Sequence, residues 1–259
     1  MASRSTARAD VGARLRRTRR IAALVIVLLL CLIPHLIWKL LRVRSPWPPR
    51  FLGLAARAAG VRVTIEGTPL RRDVFFIANH LSWIDILALG GATGAAFISH
   101  DGVAGWPLVG WLARQNNTIF IARSNRREVG AQIETLRIAL AGHQPVALFP
   151  EGTTGNGTAL LPFKPALLAG LMPPPRDLDI QPVWIDYGAA ATKIAWHSDE
   201  PAGTNAARVL ARKGALPLTL HFLDPFDPEA FEDRKTVSEE ARRRIMERQA
   251  ASATATAPV

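Results

Sequence analysis

The pattern of apolar and polar positions changes character once along the chain. Residues 21–33 are unbroken apolar (IAALVIVLLLCLI), and Leu36, Ile37, Leu40 and Leu41 carry the run past Pro34, His35 and Lys39. A helix through Leu41 would reach about 31 Å, at the border between one that spans a bilayer and one that lies in its surface. From Val61 the pattern breaks into short β-rich runs at Val61–Glu66, Val74–Ala78, Ala95–Ser99, Thr118–Ala122, Val146–Phe149, Ile180–Ile185 and Leu216–Phe222. Helical periodicity lies between several of them. The clearest case is Glu128–Ala141, where Val129, Ile133, Leu136 and Leu140 share a face and Gly142 supplies the stop. Strands alternating with helices predict an α/β layered domain, its mostly buried sheet flanked by helices, preceded by an N-terminal apolar membrane helix. The expected organisation is a basic arm over 1–20, an anchoring segment over 21–50, one domain over 51–249 and a disordered tail over 250–259.

Charge changes this picture only where it is located. The net +11 resembles a nucleic-acid binder's, yet residues 1–50 alone hold 11 basic residues against one acid, Asp10. The rest of the chain is nearly neutral, with 21 basic and 20 acidic side chains. The excess therefore flanks the apolar run, as Arg16–Arg20 before it and Lys39, Arg42 and Arg44 after it. This suits an anionic membrane surface and no nucleic acid. Basic residues on both sides place both flanks on the cytosolic face, which favours a dipping or surface-lying helix. Cys31, the single cysteine, excludes an intrachain disulfide and lies within the apolar run as packing.

Candidate chemistry clusters at strand ends. Val74–Ala78 runs straight into Asn79-His80-Leu81-Ser82-Trp83-Ile84-Asp85. An imidazole can take a proton from an alcohol at neutral pH, and a carboxylate beside it fixes its tautomer and stabilises the imidazolium. The same letters also read as a helix cap, with Ser82 at its start and Asp85 three residues on. After the fifth strand comes Phe149-Pro150-Glu151-Gly152-Thr153-Thr154-Gly155, either an anion-binding turn or an ordinary glycine-rich one. Arg123 follows Ile119-Phe120-Ile121-Ala122, and Lys164 ends Leu161-Pro162-Phe163-Lys164; both suit a phosphate. His100–Asp101 reads as a loop rather than a second pair. Trp106 and Trp111 read as packing, with an acyl groove as the alternative. The spacing of His80, Asp85 and Glu151 matches no familiar metal-ligand set, and no G-x-S-x-G elbow is present.

Taken together, these blocks resemble the glycerolipid acyltransferases, specifically the 1-acylglycerol-3-phosphate acyltransferases. The N-H-x4-D block matches Asn79, His80 and Asp85, and F-P-E-G-T matches Phe149, Pro150, Glu151, Gly152 and Thr153. F-I-x-R matches Phe120–Arg123, and Ile180-Gln181-Pro182-Val183 is similar to a V-x-P-V segment. The resemblance implies an enzyme in which His80 deprotonates the free hydroxyl of 1-acyl-sn-glycerol-3-phosphate, supported by Asp85. That hydroxyl attacks a thioester of CoA or acyl carrier protein and gives phosphatidic acid, with no cofactor and no metal. It implies a phosphate site from Arg123, Glu151, Gly152, Thr153 and Lys164, with Asn79, Phe149 and Pro150 in support. Glu151, itself an anion, is expected to hold Arg123 or the loop. Ser99-His100-Asp101 stands where many members place a lysine, and this opens an alternative: another lysolipid acceptor such as lyso-ornithine lipid, or a non-catalytic lipid binder. The expected location is a membrane, with the domain on the cytosolic face of the inner or plasma membrane.

Overall fold

The computed structural model describes residues 2–121, 134, 137–138, 140–142, 144–171, 173–174, 176–197 and 199–256. Seven strands, β1 (Val61–Glu66), β2 (Val74–Ala78), β3 (Ala96–His100), β4 (Ile119–Ile121), β5 (Val146–Leu148), β6 (Asp179–Asp186) and β7 (Leu216–Phe222), form one sheet. Their order is β1-β7-β6-β2-β5-β3-β4. Every pairing is parallel except β6 with β7. The carboxyl ends of β2, β3, β4, β5 and β6 therefore share one edge, where such sheets carry their sites. All seven strands fall on the predicted runs, with ends shifted by at most two residues.

The uniformly apolar β2 lies at the centre and is buried throughout. Its alternation divides the core. Val74, Phe76 and Ala78 face α2 (Trp47–Ala58), α3 (Trp83–Thr93) and the helix Ala202–Ala211. Phe75 and Ile77 face the turn Pro165–Leu171 and the C-terminal helix Arg234–Thr256. The layered α/β class expected from the alternation is what the sheet and its two helical faces form. Helices α2 and α3 meet where Gly53 and Gly91 leave no room: a Cβ on Gly91 would stand 2.5 Å from the Gly53 backbone. Two further helices, α4 (Asp101–Ala104) and α5 (Pro107–Gln115), join β3 to β4. Of the helix predicted at Glu128–Ala141, most lies outside the described residues; Glu134, Arg137, Ile138, Leu140 and Ala141 are helical.

The basic arm and the apolar run form one element: helix α1 runs unbroken over Ala2–Leu40, and two of its basic residues, Arg16 and Arg20, dock. Arg16 donates to the Ala211 carbonyl at 2.9 Å, and Arg20, 8% exposed, donates to those of Leu210, Arg212 and Gly214 at 2.9, 3.0 and 2.7 Å. Three neutral carbonyls meet the fork of one guanidinium, a match that charge counting does not reveal. At the far end Lys39 donates to Gln115 at 2.9 Å, so α1 lies along the domain rather than standing apart from it. The tail expected to be disordered from 250 is helical as far as Thr256. Alternating alanines propagate a helix already nucleated at Arg234, and propagation carries none of the cost of starting one.

Candidate active site

The turn from β2 into α3 positions the pair. Ser82 caps α3, and Asp85 in its first turn accepts from the backbone N–H groups of Leu81 and Ser82 at 2.7 and 2.8 Å. The same oxygen, Oδ2, accepts a hydrogen bond from His80 Nδ1 at 2.8 Å. Cap and partner of His80, alternatives in the sequence, are thus one group: capping is what aims the oxygen at the imidazole. Because both amides donate, the shared acceptor must be the carboxylate, and Nδ1 must carry hydrogen. Nε2 is then the basic nitrogen, and among the described residues none hydrogen-bonds it. Asp85 is fully buried, whereas the His80 side chain keeps 17% of its surface open. The imidazole stacks on Phe149 with centroids 4.1 Å apart and planes 13° from parallel, which fixes its plane.

A residue that sequence reading missed completes the carboxylate's shell. Tyr187, just past β6, donates its hydroxyl to Asp85 Oδ1 at 2.5 Å. Burial, then the neighbouring Asp85, raise its phenol well above the ordinary value, so it remains a donor. It is the chain's single tyrosine, immediately after a predicted strand; that position was the one available signal. Asn79 sets the register that brings it there. Its amide donates to the Ile185 carbonyl at 3.0 Å and accepts from the Ile185 N–H at 2.7 Å, locking the end of β2 to the end of β6.

Of the two roles expected of it, Glu151 is placed to hold the loop. It is 2% exposed, and its oxygens accept from the backbone N–H of His80 at 2.7 Å and of Leu161 at 3.2 Å. It ties the His80–Asp85 turn to the loop after β5 and offers no face to a phosphate. Burial lifts its carboxyl to about 7, against the pull of those two donors. The Gly155 N–H donates to the His80 carbonyl at 2.7 Å, a second tie between the same segments. Gly152 adopts φ +66°, and a Cβ there would stand 3.0 Å from Lys164 Nζ, so the ammonium sits over the turn. Pro150 accepts from the Lys164 N–H at 2.9 Å, and Thr153 is exposed beside it. The structure thus brings together Asn79, His80, Asp85, Phe149, Pro150 and Glu151, with Gly152, Thr153 and Lys164 adjoining. Arg123 lies outside the described residues. His100 and Asp101 mark the end of β3 and the start of α4. Trp111 lines a groove against Leu28, Cys31 and Leu32, as packing. Trp106, 40% exposed, lies 6.4 Å from Trp196, whose carbonyl accepts from Thr154 Oγ1.

This arrangement can remove a proton from an alcohol at Nε2 and hold the resulting imidazolium against a buried carboxylate. The chain resembles known proteins. The lyso-ornithine lipid O-acyltransferase of Rhodobacter capsulatus is 34% identical over 88% of this chain and 88% of its own. The 1-acyl-sn-glycerol-3-phosphate acyltransferase of Neisseria gonorrhoeae is 30% identical over 64% of this chain and 60% of its own. The crystal structure of the 1-acyl-sn-glycerophosphate acyltransferase from Thermotoga maritima superposes with a TM-score of 0.59 at 24% identity, covering 91% of this chain and 98% of that one. The Acyltransferase family model matches residues 60–186, which run from β1 through the catalytic turn to the end of β6. With a relative aligned over nearly its whole length, and His80, Asp85 and Glu151 inside the matched segment, the chain belongs to the acyltransferase family.

Proposed function

We propose that the chain transfers a fatty acyl group from a thioester of CoA or acyl carrier protein to the hydroxyl of a lyso-ornithine lipid at a membrane surface. The observation that carries the chemistry is the His80 imidazole, held through Nδ1 by a fully buried carboxylate. Nε2 takes the acceptor's hydroxyl proton as its oxygen adds to the thioester carbonyl. The tetrahedral adduct expels the thiolate, which recovers that proton from Nε2, so no acyl-enzyme is needed. Asp85 stabilises the imidazolium between the two transfers.

Two observations favour the ornithine acceptor. The Rhodobacter relative of that name aligns nearly end to end. Beside the pair lies a cavity of about 130 Å³ whose lining, among the described residues, includes Glu151 and Asp186 and no lysine, arginine or histidine. Burial acts to raise the Asp186 carboxyl, but His221 and the Gly188 N–H outweigh it and hold it below the ordinary value. An ionised carboxylate there suits the ammonium of an ornithine head and opposes a phosphate. The second reading, 1-acyl-sn-glycerol-3-phosphate as acceptor, rests on the Lys164 ammonium over the Gly152 turn. Arg123, Gly152, Thr153 and Lys164 would then hold the phosphate, with Glu151 bracing the turn from behind.

The segment Asp10–Leu40 is long and apolar enough to cross a membrane. Both halves of α1 are nevertheless tied to the domain, at residues 210–214 and at Gln115. Standing it across a bilayer would drag those polar neighbours into hydrocarbon. Lying in one leaflet instead buries the exposed row of Val25, Leu29, Ile33, Leu36 and Leu40. Both basic flanks then stay on the cytosolic side, with the soluble thioester donors.

The test is product analysis by mass spectrometry with purified chain, both lysolipids and both donors. An ester formed on lyso-ornithine lipid is expected. Preference for the phosphate-bearing acceptor would move the assignment to the second reading, and absence of thiol release with either would end the acyl-transfer reading.

A further inference from the structure

At the edge of the sheet opposite the catalytic pair lies a cleft of about 690 Å³. Four separate segments supply its cations: Lys39 at the end of α1, Arg44 in the turn to α2, Arg71 and Arg72 before β2, and Arg114 on α5. Among the described residues no aspartate or glutamate lines it. Three of the five donate to neutral oxygens, Lys39 to Gln115 at 2.9 Å, Arg71 to the Ala92 carbonyl at 2.8 Å and Arg114 to the Ala104 carbonyl at 3.2 Å. Such bonds hold the side chains in place and leave their charge uncancelled. Among the described residues none of the five forms an ion pair, whereas Arg176, Arg208, Arg243, Arg244 and Arg248 each meet a carboxylate. The cleft therefore concentrates unbalanced positive charge on a chain body that is otherwise nearly neutral.

Its position is separate from the catalytic pocket. Arg71 and Arg72 precede β2 and His80 follows it, and five residues of strand set the two about 17 Å apart. Helix α1 joins the two edges. Arg20 docks beside the start of β7, which shares the catalytic edge because β7 runs antiparallel to β6, and Lys39 reaches the cleft. The exposed apolar row of α1 leads to the cleft's mouth through Leu36 and Leu40, and Val43 forms part of the lining.

We propose that this cleft seats the phosphate headgroup of an anionic bilayer phospholipid, distinct from the substrate, and fixes which way the domain faces the membrane. Charge complementarity names the occupant: guanidinium forks pair with phosphate oxygens in two-point bonds. Continuity with the apolar row names its source, because acyl chains and headgroup would be met side by side. The proposal rests on α1 lying in a leaflet, as set out above.

The experiment is co-sedimentation of the full chain with vesicles of phosphatidylcholine alone and of phosphatidylcholine with phosphatidylglycerol. The wild-type chain should pellet with both and favour the anionic vesicles. Neutralising two of the cations, as Arg71→Gln with Arg72→Gln, should weaken partition to the anionic vesicles about 30-fold, at roughly a fivefold loss per charge. Binding to phosphatidylcholine and turnover of detergent-dispersed lysolipid should be unchanged. Arg234→Gln with Lys235→Gln, which removes the same charge from the C-terminal helix, should leave the anionic preference within a few-fold. Equal losses in both double variants would reduce the effect to net charge and overturn the cleft. So would inorganic phosphate that binds the wild type and not the cleft variant while vesicle partition stays unchanged. A wild-type chain that pellets with neither vesicle would instead remove the membrane placement and the proposal with it.

Discussion

Replacing Asp85 by asparagine separates the charge of the catalytic carboxylate from its shape. Oδ2 receives three N–H donors, from His80 Nδ1, Leu81 and Ser82, so an amide oxygen in its place preserves the first turn of α3 and the imidazole tautomer. The amide nitrogen then falls at Oδ1, opposite the Tyr187 hydroxyl, which can rotate from donor to acceptor. What disappears is the negative charge facing the imidazolium. Opposite charges about 4 Å apart attract by about 4 kcal/mol at an effective dielectric near 20. At about 1.4 kcal/mol per tenfold, kcat should fall by about 10³. The assay is thiol release from acyl-CoA at saturating lysolipid, paired with thermal melts. Weaker neutral hydrogen bonds should lower Tm by only about 2–4 °C. Because the pair acts as a unit, His80→Ala with Asp85→Asn should be no slower than His80→Ala alone. Asp85→Asn protein with an unaltered melt and kcat within tenfold of wild type would refute the claim that the carboxylate works through its charge.

Tyr187→Phe deletes one donor to a buried carboxylate, and should lower stability by about 1.5–3 kcal/mol and kcat by about tenfold; denaturant unfolding together with kcat measures it, and an unchanged midpoint would dismiss Tyr187 as a positioning residue. Glu151 titrates from 4.5 in the unfolded chain to about 7 in the folded one, so the folded state binds the proton more tightly. Its share of stability is complete below about pH 4.5 and declines by about 3 kcal/mol as pH rises through about 7. Unfolding midpoints across pH 5–8 should therefore slope less in Glu151→Gln, and parallel curves would count against the assignment. Arg20→Ala removes three bonds to carbonyls, and should cost about 2 kcal/mol and hasten protease cleavage within residues 1–30; equal cleavage rates would show that α1 holds without it.

Much of the fold was legible because its signals are local. The unbroken Val-Phe-Phe-Ile-Ala run reads as an interior strand, and the four residues between His80 and Asp85 span a turn that any capped helix start would close. The strand-end motifs placed Asn79, His80, Asp85, Phe149, Pro150 and Glu151 on one edge before any contact was known. Local signals also misled where two uses share one chemistry. Ser82 and Asp85 read as cap or as catalytic group, and only the path of the backbone made them both.

What the tertiary structure decided is the company each group keeps across long stretches of chain. Tyr187 reaches Asp85 from 102 residues away because Ala78 pairs with Val183 and Asn79 locks to Ile185. Glu151 braces the loop, rather than Arg123, through the two backbone N–H groups that claim its oxygens. Arg20 and the five cations of the far cleft carry no motif at all. Among the described residues none of them pairs with a carboxylate, and sequence cannot state an absence in space. Periodicity and capping are written along the chain; pairing of charge, burial and register exist only once distant segments meet.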